Sequence, residues 1–377
     1  MENRIINVGI IGGSLNNQWA SQTHIPALKN NPYYKITAIG TSNIDTAKDS
    51  AKILNAPHSF TDYKELAQTK DVDLVVVSIK VPHHYDAVMA VLEENKHIYC
   101  EWPLAINTKQ AEKMAQMANE RNIHHAIGLQ GRQSPEVNYL KQAIRHGDIG
   151  NIISCTMQVA TQGKGAVTDE KSRYLLNEYN GATLLSINGG HSLDVLCYIL
   201  GDFQELSATM NVHYTEAFVQ ETGKTTVKNT ADQILIQGTL INGTSASVHI
   251  QGGVYPAFQL EIRGEKGAYR LTQKNSYGHV QFGNLIIEKL IHPNNLFNSK
   301  DVFYEEIKIP SELNNGALSY IDQAYTMLAK DIVTCTKQIP DFNDAVKLHQ
   351  LLDAVRKSAK TGKRIQIYTN IESSHCI

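Results

Sequence analysis

The first third of the chain alternates short apolar runs with longer amphipathic segments. Ile5–Ile11 is almost continuously apolar, as expected of a strand that is buried on both faces of a sheet. Helix and strand patterns then alternate in this order: helix Trp19–Lys29, strand Tyr34–Ile39, helix Ile44–Leu54, strand Leu74–Ile79, helix His84–Glu94, strand His97–Cys100, helix Thr108–Arg121 and strand His125–Leu129. Strands that alternate with helices of roughly 10 to 15 residues indicate βαβ units. We therefore predict a doubly wound parallel sheet with a ligand crevice at the carboxyl ends of its strands.

A different pattern begins near residue 151, where Ile152–Ala160 predicts a long strand and Thr183–Leu200 contains a helix. The rest of the chain predicts hairpins and closing helices: hairpin Gln233–Ile250 with its turn at Asn242-Gly243, hairpin Phe258–Leu271 with its turn at Gly264–Gly267, hairpin His279–Lys289 with its turn at Gly283-Asn284, and helices Ala317–Thr336 and Phe342–Thr361. The chain is therefore predicted to be α/β with two domains. Residues 1–130 form the doubly wound domain, and residues 131–377 form an α+β domain with an open, mostly antiparallel sheet. We expect its final helices to pack back toward the first domain.

Composition excludes several classes of partner. The 377 residues are 42% hydrophobic and 19% charged, which suits two domains with large cores and argues against disorder. The net charge is −2 without a basic stripe, so we expect no direct nucleic-acid binding and no membrane attachment. The apolar runs are too short to cross a bilayer, and no signal-peptide core follows Met1–Arg4. The five cysteines form no CxxC pair, which fits a reducing compartment, and we predict a cytoplasmic protein.

A glycine-containing turn follows the first predicted strand. Gly12 and Gly13 are followed by Ser14 and Leu15, and a helix is predicted from Trp19. A dinucleotide site needs glycine here, because the backbone must turn tightly and approach the pyrophosphate. The GxGxxG pattern is incomplete, since Ser14 takes the place of the second glycine, and alone the turn suits an ordinary strand–helix connection equally well. The regular βαβ units that follow favour a nucleotide site.

The end of the second predicted strand bears on which dinucleotide binds. An acidic residue there accepts the ribose hydroxyls of NAD and repels the 2′-phosphate of NADP. Ile39–Asn43 contains no acid, and the hydroxyls of Thr41 and Ser42 suit either group. We therefore expect NADP, or acceptance of both NAD and NADP.

Six segments that span nearly the whole chain carry motifs: Ile5–Ala20, Thr23–Ala27, Asp73–Val81, Glu101–Ala105, Gly189–Asp194 and Asp344–Thr361. Together they resemble the glucose–fructose oxidoreductase/inositol dehydrogenase (Gfo/Idh/MocA) family. The resemblance implies an N-terminal Rossmann domain that binds NAD or NADP, a sugar or sugar derivative as substrate, and homodimers or tetramers formed through the C-terminal sheet. It also implies a cofactor site made of Gly12, Gly13, Ser14, Leu15, Trp19, Thr41, Ser42, Lys80, Val81, His84, Glu101, Trp102 and Gln130. A solvated position suits Lys80 nearly as well.

Other segments resemble one subgroup of that family. These are Asn16–Ala20, Tyr99–Ala105, Leu129–Pro135 and Phe282–Ile286. They are similar to the NAD(P)-binding repressors of the yeast galactose pathway. Such a protein is built like an oxidoreductase but acts by binding a transcriptional activator, so the resemblance also implies a possible protein partner.

The chain departs from the family at two catalytic positions. Enzymes of the family carry Glu-Lys-Pro, whose lysine lies beside the reacting carbon, and this chain has Trp102 in place of the lysine. They also carry an aspartate four residues before a histidine, where this chain has Ile187 before His191. An indole has no acid–base chemistry near neutral pH. An imidazole, with an ordinary pKa of about 6.5, can transfer a proton by itself.

Each candidate residue also has a structural interpretation. His191 is predicted to be the catalytic base, with a structural histidine as the alternative. Trp102, Asn188, Asp194 and Arg132 are predicted to bind substrate. Yet Trp102 also suits a core position, Asp194 a structural hydrogen bond, and Arg132 an ion pair with a buried acid.

The sequence therefore supports a leading function and two alternatives. The leading one is an NAD(P)-dependent oxidoreductase that transfers a hydride from a sugar or sugar derivative while His191 takes the proton. The first alternative is a catalytically silent regulator that senses the dinucleotide and binds a protein, favoured by Trp102 and Ile187. The second is an enzyme that uses its cofactor without net turnover. We predict no metal site, because no zinc-ligand spacing is present.

Overall fold

The computed structural model describes residues 5–16, 19–274, 278–291, 303–309 and 316–367. Its N-terminal strands are β1 (Ile6–Ile11), β2 (Tyr34–Gly40), β3 (His58–Phe60), β4 (Leu74–Val77), β5 (His97–Glu101) and β6 (His125–Gly128). They form one parallel sheet in the order β3-β2-β1-β4-β5-β6. This is the strand order of the dinucleotide-binding Rossmann fold. Strands are added toward one edge of the sheet from β1 to β3 and toward the other edge from β4 to β6, so the order reverses between β1 and β4. The predicted doubly wound sheet is confirmed.

The helices of this part are α1 (Trp19–Gln22), α2 (His24–Asn30), α3 (Ile44–Leu54), α4 (Tyr63–Gln68), α5 (His84–Glu93) and α6 (Thr108–Glu120). The single helix predicted over Trp19–Lys29 is wrong, because the chain divides it at Thr23. Pro26 has no N–H to donate, which a helix tolerates only in its first turn, and α2 accordingly begins anew at His24. Strand β3 and helix α4 were not predicted, since neither is long enough to show a period.

The C-terminal part begins with α7 (Pro135–Arg145) and is built on a large sheet. Its further elements are β7 (Ile152–Thr161), β8 (Val167–Thr168), α8 (Gly190–Leu200), β9 (Phe203–Asn211), β10 (Glu216–Val219), β11 (Lys224–Val227), β12 (Gln233–Leu240), β13 (Ser245–Gly252), β14 (Ala257–Gly264), β15 (Gly267–Gln273), β16 (Leu285–Ile291), β17 (Phe303–Ile307), α9 (Ala317–Thr334), α10 (Phe342–Thr361) and β18 (Ile365–Gln366). The large sheet has the order β17-β16-β15-β14-β7-β13-β12-β9-β18, and β11-β10-β8 form a small separate sheet. In the large sheet only β7 and β13 pair in parallel among the described strands, so the predicted mostly antiparallel sheet is confirmed.

Two of the three predicted hairpins are confirmed, and the third is wrong. Strands β12 and β13 pair across the predicted Asn242-Gly243 turn, and β14 pairs with β15. The segment His279–Lys289 does not fold back on itself, because Leu285–Ile291 pairs with β15 instead. The Gln273 side chain donates to the carbonyls of His279 and Gly283 at 2.9 and 3.0 Å, which holds the connecting loop against β15.

Helices α9 and α10 contact the N-terminal part. On α9, the Tyr325 hydroxyl is hydrogen-bonded to His24 Nδ1 at 2.7 Å, and the Tyr34 hydroxyl donates to the Tyr325 carbonyl at 2.7 Å. At the start of α10, the Phe342 amide donates to His125 Nδ1 at 3.1 Å. The domain boundary at residue 130 stays a prediction. Within the described ranges, no helix is both long and apolar enough to cross a membrane.

Candidate functional site

The turn after β1 leaves no room for a side chain. Gly12 has φ +90°, and a Cβ placed on it would lie 2.1 Å from the carbonyl oxygen of Ser78, which follows β4. The amides of Gly12 and Gly13 donate to the Gly40 carbonyl at 2.8 and 3.2 Å. The turn therefore passes between the ends of β2 and β4, where the strand order reverses. A backbone without side chains at this point is what the pyrophosphate of a dinucleotide requires.

The residues after Gly13 order the rest of this turn. Ser14 Oγ accepts from the Asn16 amide at 3.1 Å, and the Leu15 amide donates to Ser50 Oγ of α3 at 3.2 Å. The indole of Trp19 lies edge-on to Phe282, with ring centres 6.0 Å apart. Its Nε1 is buried and has no hydrogen-bond partner in the described part of the chain. An unpartnered buried donor beside a side-chain-free turn fits a bound dinucleotide.

The ends of β2 and β4 carry three more predicted cofactor residues. The Thr41 hydroxyl donates to the Asn43 carbonyl at 2.7 Å, while Ser42 is exposed. Lys80 is also exposed, and its Nζ lies 4.8 Å from the ring centre of Tyr174 in the C-terminal part. The Lys80 side chain therefore contacts the C-terminal part of the chain.

His84 and Val81 are buried under the loop that follows β4. The two ring nitrogens of His84 lie 2.9 Å from the Pro103 carbonyl and 2.9 Å from the Ile79 carbonyl. Burial lowers the pKa of His84, although the carbonyls act in the opposite direction. A neutral ring donates to one carbonyl at a time, so His84 joins the loops after β4 and β5. Contact of Val81 or His84 with the cofactor stays a prediction.

Glu101 and Gln130 lie at the ends of β5 and β6. Glu101 Oε1 is 3.0 Å from Nε2 of the buried His24, although this contact is not aligned as a hydrogen bond. A Cβ on Gly128 would lie 2.9 Å from the same oxygen. Gln130 Nε2 donates to Gln281 Oε1 at 3.2 Å, and Gln130 Oε1 has no partner within the described ranges. The Gln130 carbonyl oxygen is a second orphaned polar atom that a ligand can satisfy.

Trp102 is packed rather than exposed to the cleft. Its indole is 5% exposed, and its Nε1 donates to the Ser186 carbonyl at 2.7 Å. The ring centre lies 4.8 Å from that of His349 on α10, and a Cβ on Gly190 would lie 2.5 Å from Nε1. Burial lowers the pKa of His349 to about 4, so this imidazole is neutral at pH 7. The position of the family's lysine is therefore filled by an aromatic side chain whose polar atom is already hydrogen-bonded.

Arg132 and Asp194 pair with each other. Arg132 Nε and Nη2 both donate to Asp194, with the shortest contact at 2.6 Å, and Nη1 donates to Asp344 at 3.1 Å. Burial raises the pKa of Asp194, and the guanidinium opposes that shift. Burial acts to lower the pKa of Arg132, but the two carboxylates raise it above its usual range. The geometry agrees with the structural alternatives: Arg132 forms an ion pair with a buried acid, and Asp194 makes structural hydrogen bonds. Contact of either residue with substrate stays a prediction.

His191 is the second residue of α8, which follows a π-helical turn at Leu185–Gly189. Such turns are frequent at functional sites. Asn188 in this turn is buried, and so is His191, which is 3% exposed. Desolvation, and then the neighbouring His279, lower the pKa of His191 well below 6.5. The two imidazole centres are 5.1 Å apart, and His191 is held as a neutral ring.

Sequence reasoning did not identify His279, Gln281 and Phe282 as site residues. The ring of Phe282 lies 5.1 Å from His279 and 6.0 Å from Trp19, so a row of aromatic rings runs from Trp19 to His191. The segment His279–Gly283 carried no distinguishing signal, because it stands in a connection that is largely polar. It was interpreted as part of a hairpin. The imidazoles of this row are neutral groups that can donate and accept hydrogen bonds. They suit a proton transfer that accompanies hydride transfer to a dinucleotide.

Within the described ranges, no group of three or more His, Cys, Asp or Glu side chains is arranged to hold a metal ion.

Comparison with known proteins identifies both parts of the chain. Residues 6–128 match the model of the oxidoreductase family with an NAD-binding Rossmann fold. Residues 135–273 match the model of the C-terminal domain of Gal80p. Dehydrogenase aclE of Aspergillus oryzae is 30% identical over 372 residues, which cover 95% of this chain and 97% of that protein.

Two further relatives have solved structures. The galactose/lactose metabolism regulatory protein GAL80 of Kluyveromyces lactis is 32% identical over 310 residues, covering 75% of this chain and 67% of that protein. Its crystal structure superposes with a TM-score of 0.84 over 97% of this chain and 95% of that chain, at 28% identity. Levoglucosan dehydrogenase in complex with NADH and L-sorbose shares the fold, with a TM-score of 0.83 and 19% identity over 97% of this chain and 100% of that chain.

Proposed function

The chain belongs to the oxidoreductase family with an NAD-binding Rossmann fold, and from that premise we propose that it is an NAD(P)-dependent oxidoreductase acting on a sugar or sugar derivative. Two relatives support the substrate class and the cofactor. Levoglucosan dehydrogenase was solved with NADH and L-sorbose, and aclE is a dehydrogenase. The observation that carries the proposal is His191, a buried neutral imidazole that follows the π-helical turn and lies at one end of the row of rings that runs to Trp19.

Bound NAD(P)+ supplies the acceptor for the hydride. The substrate carbon loses its C–H bond as a hydride, its hydroxyl loses the proton to a ring nitrogen of His191, and a C=O bond forms. His191 can accept that proton because desolvation keeps its ring neutral near pH 7. The glycine turn at Gly12 and the orphaned Nε1 of Trp19 are the groups proposed to hold the dinucleotide.

A catalytically silent regulator is the second candidate. The buried Trp102 favours it, because this indole occupies the position of the family's lysine and offers the cleft no proton donor. Ile187 in place of the aspartate points the same way. The match of residues 135–273 to the Gal80p C-terminal domain supports a regulatory protein that senses the dinucleotide and binds a protein partner.

One experiment separates the two candidates. Purified protein is incubated with NAD or NADP and a panel of hexoses, pentoses, polyols and sugar acids, and reduced nicotinamide is followed by its absorbance. We expect turnover on at least one member, and a fall of about 100-fold or more for His191→Ala. Saturable dinucleotide binding without turnover on any member would favour the regulator.

A glycine pair provides the control for cofactor binding. Gly12→Ala should abolish NAD(P) binding, because its Cβ would collide with Ser78. Gly243→Ala imposes similar backbone strain, at φ +86°, but its Cβ meets no atom within 4 Å. Dinucleotide affinity should be unchanged in Gly243→Ala. Equal losses of affinity in both variants would contradict the assignment of the Gly12 turn as the dinucleotide site.

The choice between NAD and NADP depends on the end of β2. No acid stands at 41–43, so we propose that both dinucleotides bind. Ser42→Asp should weaken NADP more than NAD, because a carboxylate repels the 2′-phosphate. Equal affinity changes for the two cofactors in a titration would contradict this.

The proposal includes a cytoplasmic homo-oligomer formed through the outer face of the large sheet. Leu235 is 44% exposed in the middle of β12, flanked by the half-buried His249 and Gln233. A charge at this point should weaken self-association. Light scattering on Leu235→Glu tests this, and an unchanged mass would assign the oligomer to another surface.

A further inference from the structure

His24 lies at the start of α2, between the carboxyl edge of the parallel sheet and helix α9. Its Nδ1 is hydrogen-bonded to the Tyr325 hydroxyl at 2.7 Å, and its Nε2 lies 3.0 Å from Glu101 Oε1. The imidazole is fully buried, and the rings of Tyr99 and Tyr325 lie edge-on to it, with centres 5.3 and 5.8 Å away. The fold thus places an imidazole between a tyrosine of the C-terminal part and a carboxylate of the first sheet.

Glu101 ends β5, at the edge of the sheet where the glycine turn also lies. It pairs with Gly128 of β6, and a Cβ on Gly128 would lie 2.9 Å from Glu101 Oε1, so the carboxylate lies over a residue without a side chain. The Glu101 side chain keeps 12% of its surface exposed, whereas its Oε1 atom is buried. One carboxylate oxygen therefore faces His24, while part of the side chain still reaches the surface at the ligand edge of the sheet.

The chemistry of the three groups determines where the imidazole carries its hydrogen. A carboxylate only accepts hydrogen bonds, so a hydrogen on Nε2 is the arrangement that suits Glu101. Nδ1 is then an acceptor, and the Tyr325 hydroxyl donates to it. Burial raises the pKa of Tyr325 well above its usual value, which keeps this hydroxyl protonated. The tyrosine thereby selects the form of His24 that can donate to the carboxylate.

The contact between His24 and Glu101 is short but poorly aligned. Nε2 and Oε1 consequently have no hydrogen-bond partner among the described residues, although both atoms are buried. Polar contacts of functional groups are often poorly aligned in the free protein and tighten when the ligand binds. We expect a bound hydroxyl group to fix the carboxylate in the orientation that completes this hydrogen bond.

The position of Glu101 indicates which part of a dinucleotide it faces. A dinucleotide crosses the crevice where the strand order reverses, and its adenosine ribose lies at the end of the second strand. The other ribose then lies on the side of β4 and β5, and β5 stands two strands from β1. A carboxylate repels the pyrophosphate but accepts hydrogen bonds from hydroxyls, so this second ribose is the group that suits Glu101.

We propose that His24 and Tyr325 are positioning residues, which hold the Glu101 carboxylate so that it accepts a hydroxyl of the second ribose. The inference rests on the dinucleotide site of the proposed function, and it applies to the oxidoreductase and to the regulator alike. Tyr325 orients His24 and His24 orients Glu101, so neither positioning residue touches the ligand. Helix α9 of the C-terminal part thereby contributes to dinucleotide affinity.

Two tyrosines of the same aromatic cluster provide matched variants. Tyr325→Phe removes the hydroxyl that donates to His24, and Tyr34→Phe removes a hydroxyl that donates at the same distance, 2.7 Å, to the Tyr325 carbonyl. Each variant loses one buried hydrogen bond, so their melting temperatures should fall by similar amounts. The affinity for NAD and NADP, measured by titration calorimetry, should fall about threefold to tenfold in Tyr325→Phe and stay unchanged in Tyr34→Phe. Equal affinity losses in the two variants, or no loss in Tyr325→Phe, would overturn the inference.

A double-mutant cycle tests the link to the carboxylate. His24→Leu removes the donor and should weaken dinucleotide binding about tenfold or more, because a hydrogen bond to a charged group is lost. His24→Gln keeps an amide donor and should retain most of the affinity. In a Glu101→Ala chain, His24→Leu should have little further effect, since no carboxylate is left to position. Losses that add up in the double variant would overturn the inference.

The hydrogen position on His24 can be measured in the parent chain without any ligand. Nitrogen NMR of histidine-labelled protein distinguishes the two neutral ring forms, and the His24 signal is identified by its loss in His24→Gln. We expect the hydrogen on Nε2 in the parent chain and a mixture of both forms in Tyr325→Phe. A parent imidazole with its hydrogen on Nδ1 would overturn the inference, because Nε2 could not then donate to Glu101.

The outcomes separate this inference from the proposed function. A parent chain that binds neither NAD nor NADP overturns the dinucleotide site and the inference together. A parent chain that binds a dinucleotide, with the same affinity change in Tyr325→Phe and Tyr34→Phe, overturns the positioning role alone.

Discussion

Two sets of residues around the candidate site, called here its closed wall and its open wall, satisfy their buried polar groups in opposite ways. The closed wall consists of Trp102, Arg132 and Asp194, whose donors reach a carbonyl or a carboxylate of the chain itself. The open wall consists of His191 and His279, and the ring nitrogens of His279 meet no partner in the described residues. A hydrogen-bonded polar group contributes modestly to stability, whereas an unpaired one costs about 1–3 kcal/mol. The closed wall therefore serves the fold, and the open wall has the character of a site that keeps its hydrogen-bonding capacity for a ligand.

Arg132→Met should produce the largest effect on the closed wall. The substitution leaves the 4% exposed Asp194 carboxylate without its partner, and we expect the free energy of unfolding to fall by about 3–5 kcal/mol. Urea denaturation measures this change. The dinucleotide affinity should not change.

The double variant Arg132→Met/Asp194→Leu is the control. Removing both charges should recover most of the lost stability, since no buried charge remains unpaired. A double variant as unstable as the single one would show that the pair does not account for the loss. If instead the KM for the sugar rises many-fold in Arg132→Met and stability is unchanged, Arg132 binds substrate and belongs with the open wall.

Trp102 offers the second test of the closed wall. Trp102→Lys places an ammonium where the indole now packs against His349, and Trp102→Ala leaves a cavity there. Both should lower the free energy of unfolding by about 3–5 kcal/mol. Trp102→Phe keeps an aromatic ring but removes the hydrogen bond to the Ser186 carbonyl and part of the ring volume, and should cost less, about 1–3 kcal/mol. Higher dehydrogenase activity in a stable Trp102→Lys variant would show that the wall accommodates the family's lysine.

Patterns of apolar residues predicted most of the sheet framework, because strand burial and helix periodicity are local properties. Ile6–Ile11 and the glycine turn were predictable for that reason. The hairpin at His279 was not, since β16 pairs with β15 and the Gln273 side chain holds the His279 and Gly283 carbonyls, contacts that no periodicity reveals. Short elements such as β3 were also missed.

The candidate site was predictable only where one motif contains it. His191 stands in a recognisable Gly-Gly-His segment, whereas its neighbour His279 is distant in sequence and only the fold brings the two rings together. The partner of Arg132 could not be predicted from the sequence either. The residue types allowed either a substrate or a buried acid as its partner, and only the fold places Asp194 and Asp344 against it.

His279→Leu should raise the free energy of unfolding, whereas the closed-wall variants lower it. It replaces an imidazole without described partners by an apolar side chain of similar size, and we expect the free energy of unfolding to rise by about 1–2 kcal/mol at pH 7.5. Affinity for the sugar identified by the panel should fall. Urea denaturation and substrate titration measure the two effects. A loss of stability would mean that His279 has structural partners, and the distinction between the walls would disappear.

The pH dependence of stability compares His279 with His349, which packs on Trp102. In the folded chain their pKa values are lowered to about 3 and about 4, from about 6.5 in the unfolded chain. Below pH 6.5 the unfolded state therefore binds protons that the folded state does not, so stability is complete above 6.5 and is lost as the pH falls toward 4. Each histidine should steepen this loss by up to about 1.4 kcal/mol per pH unit.

His279→Leu and His349→Leu should each flatten the urea-derived stability curve between pH 6.5 and 5 by that amount. Parallel curves for parent and variants below pH 6.5 would show that these imidazoles are protonated in the folded protein.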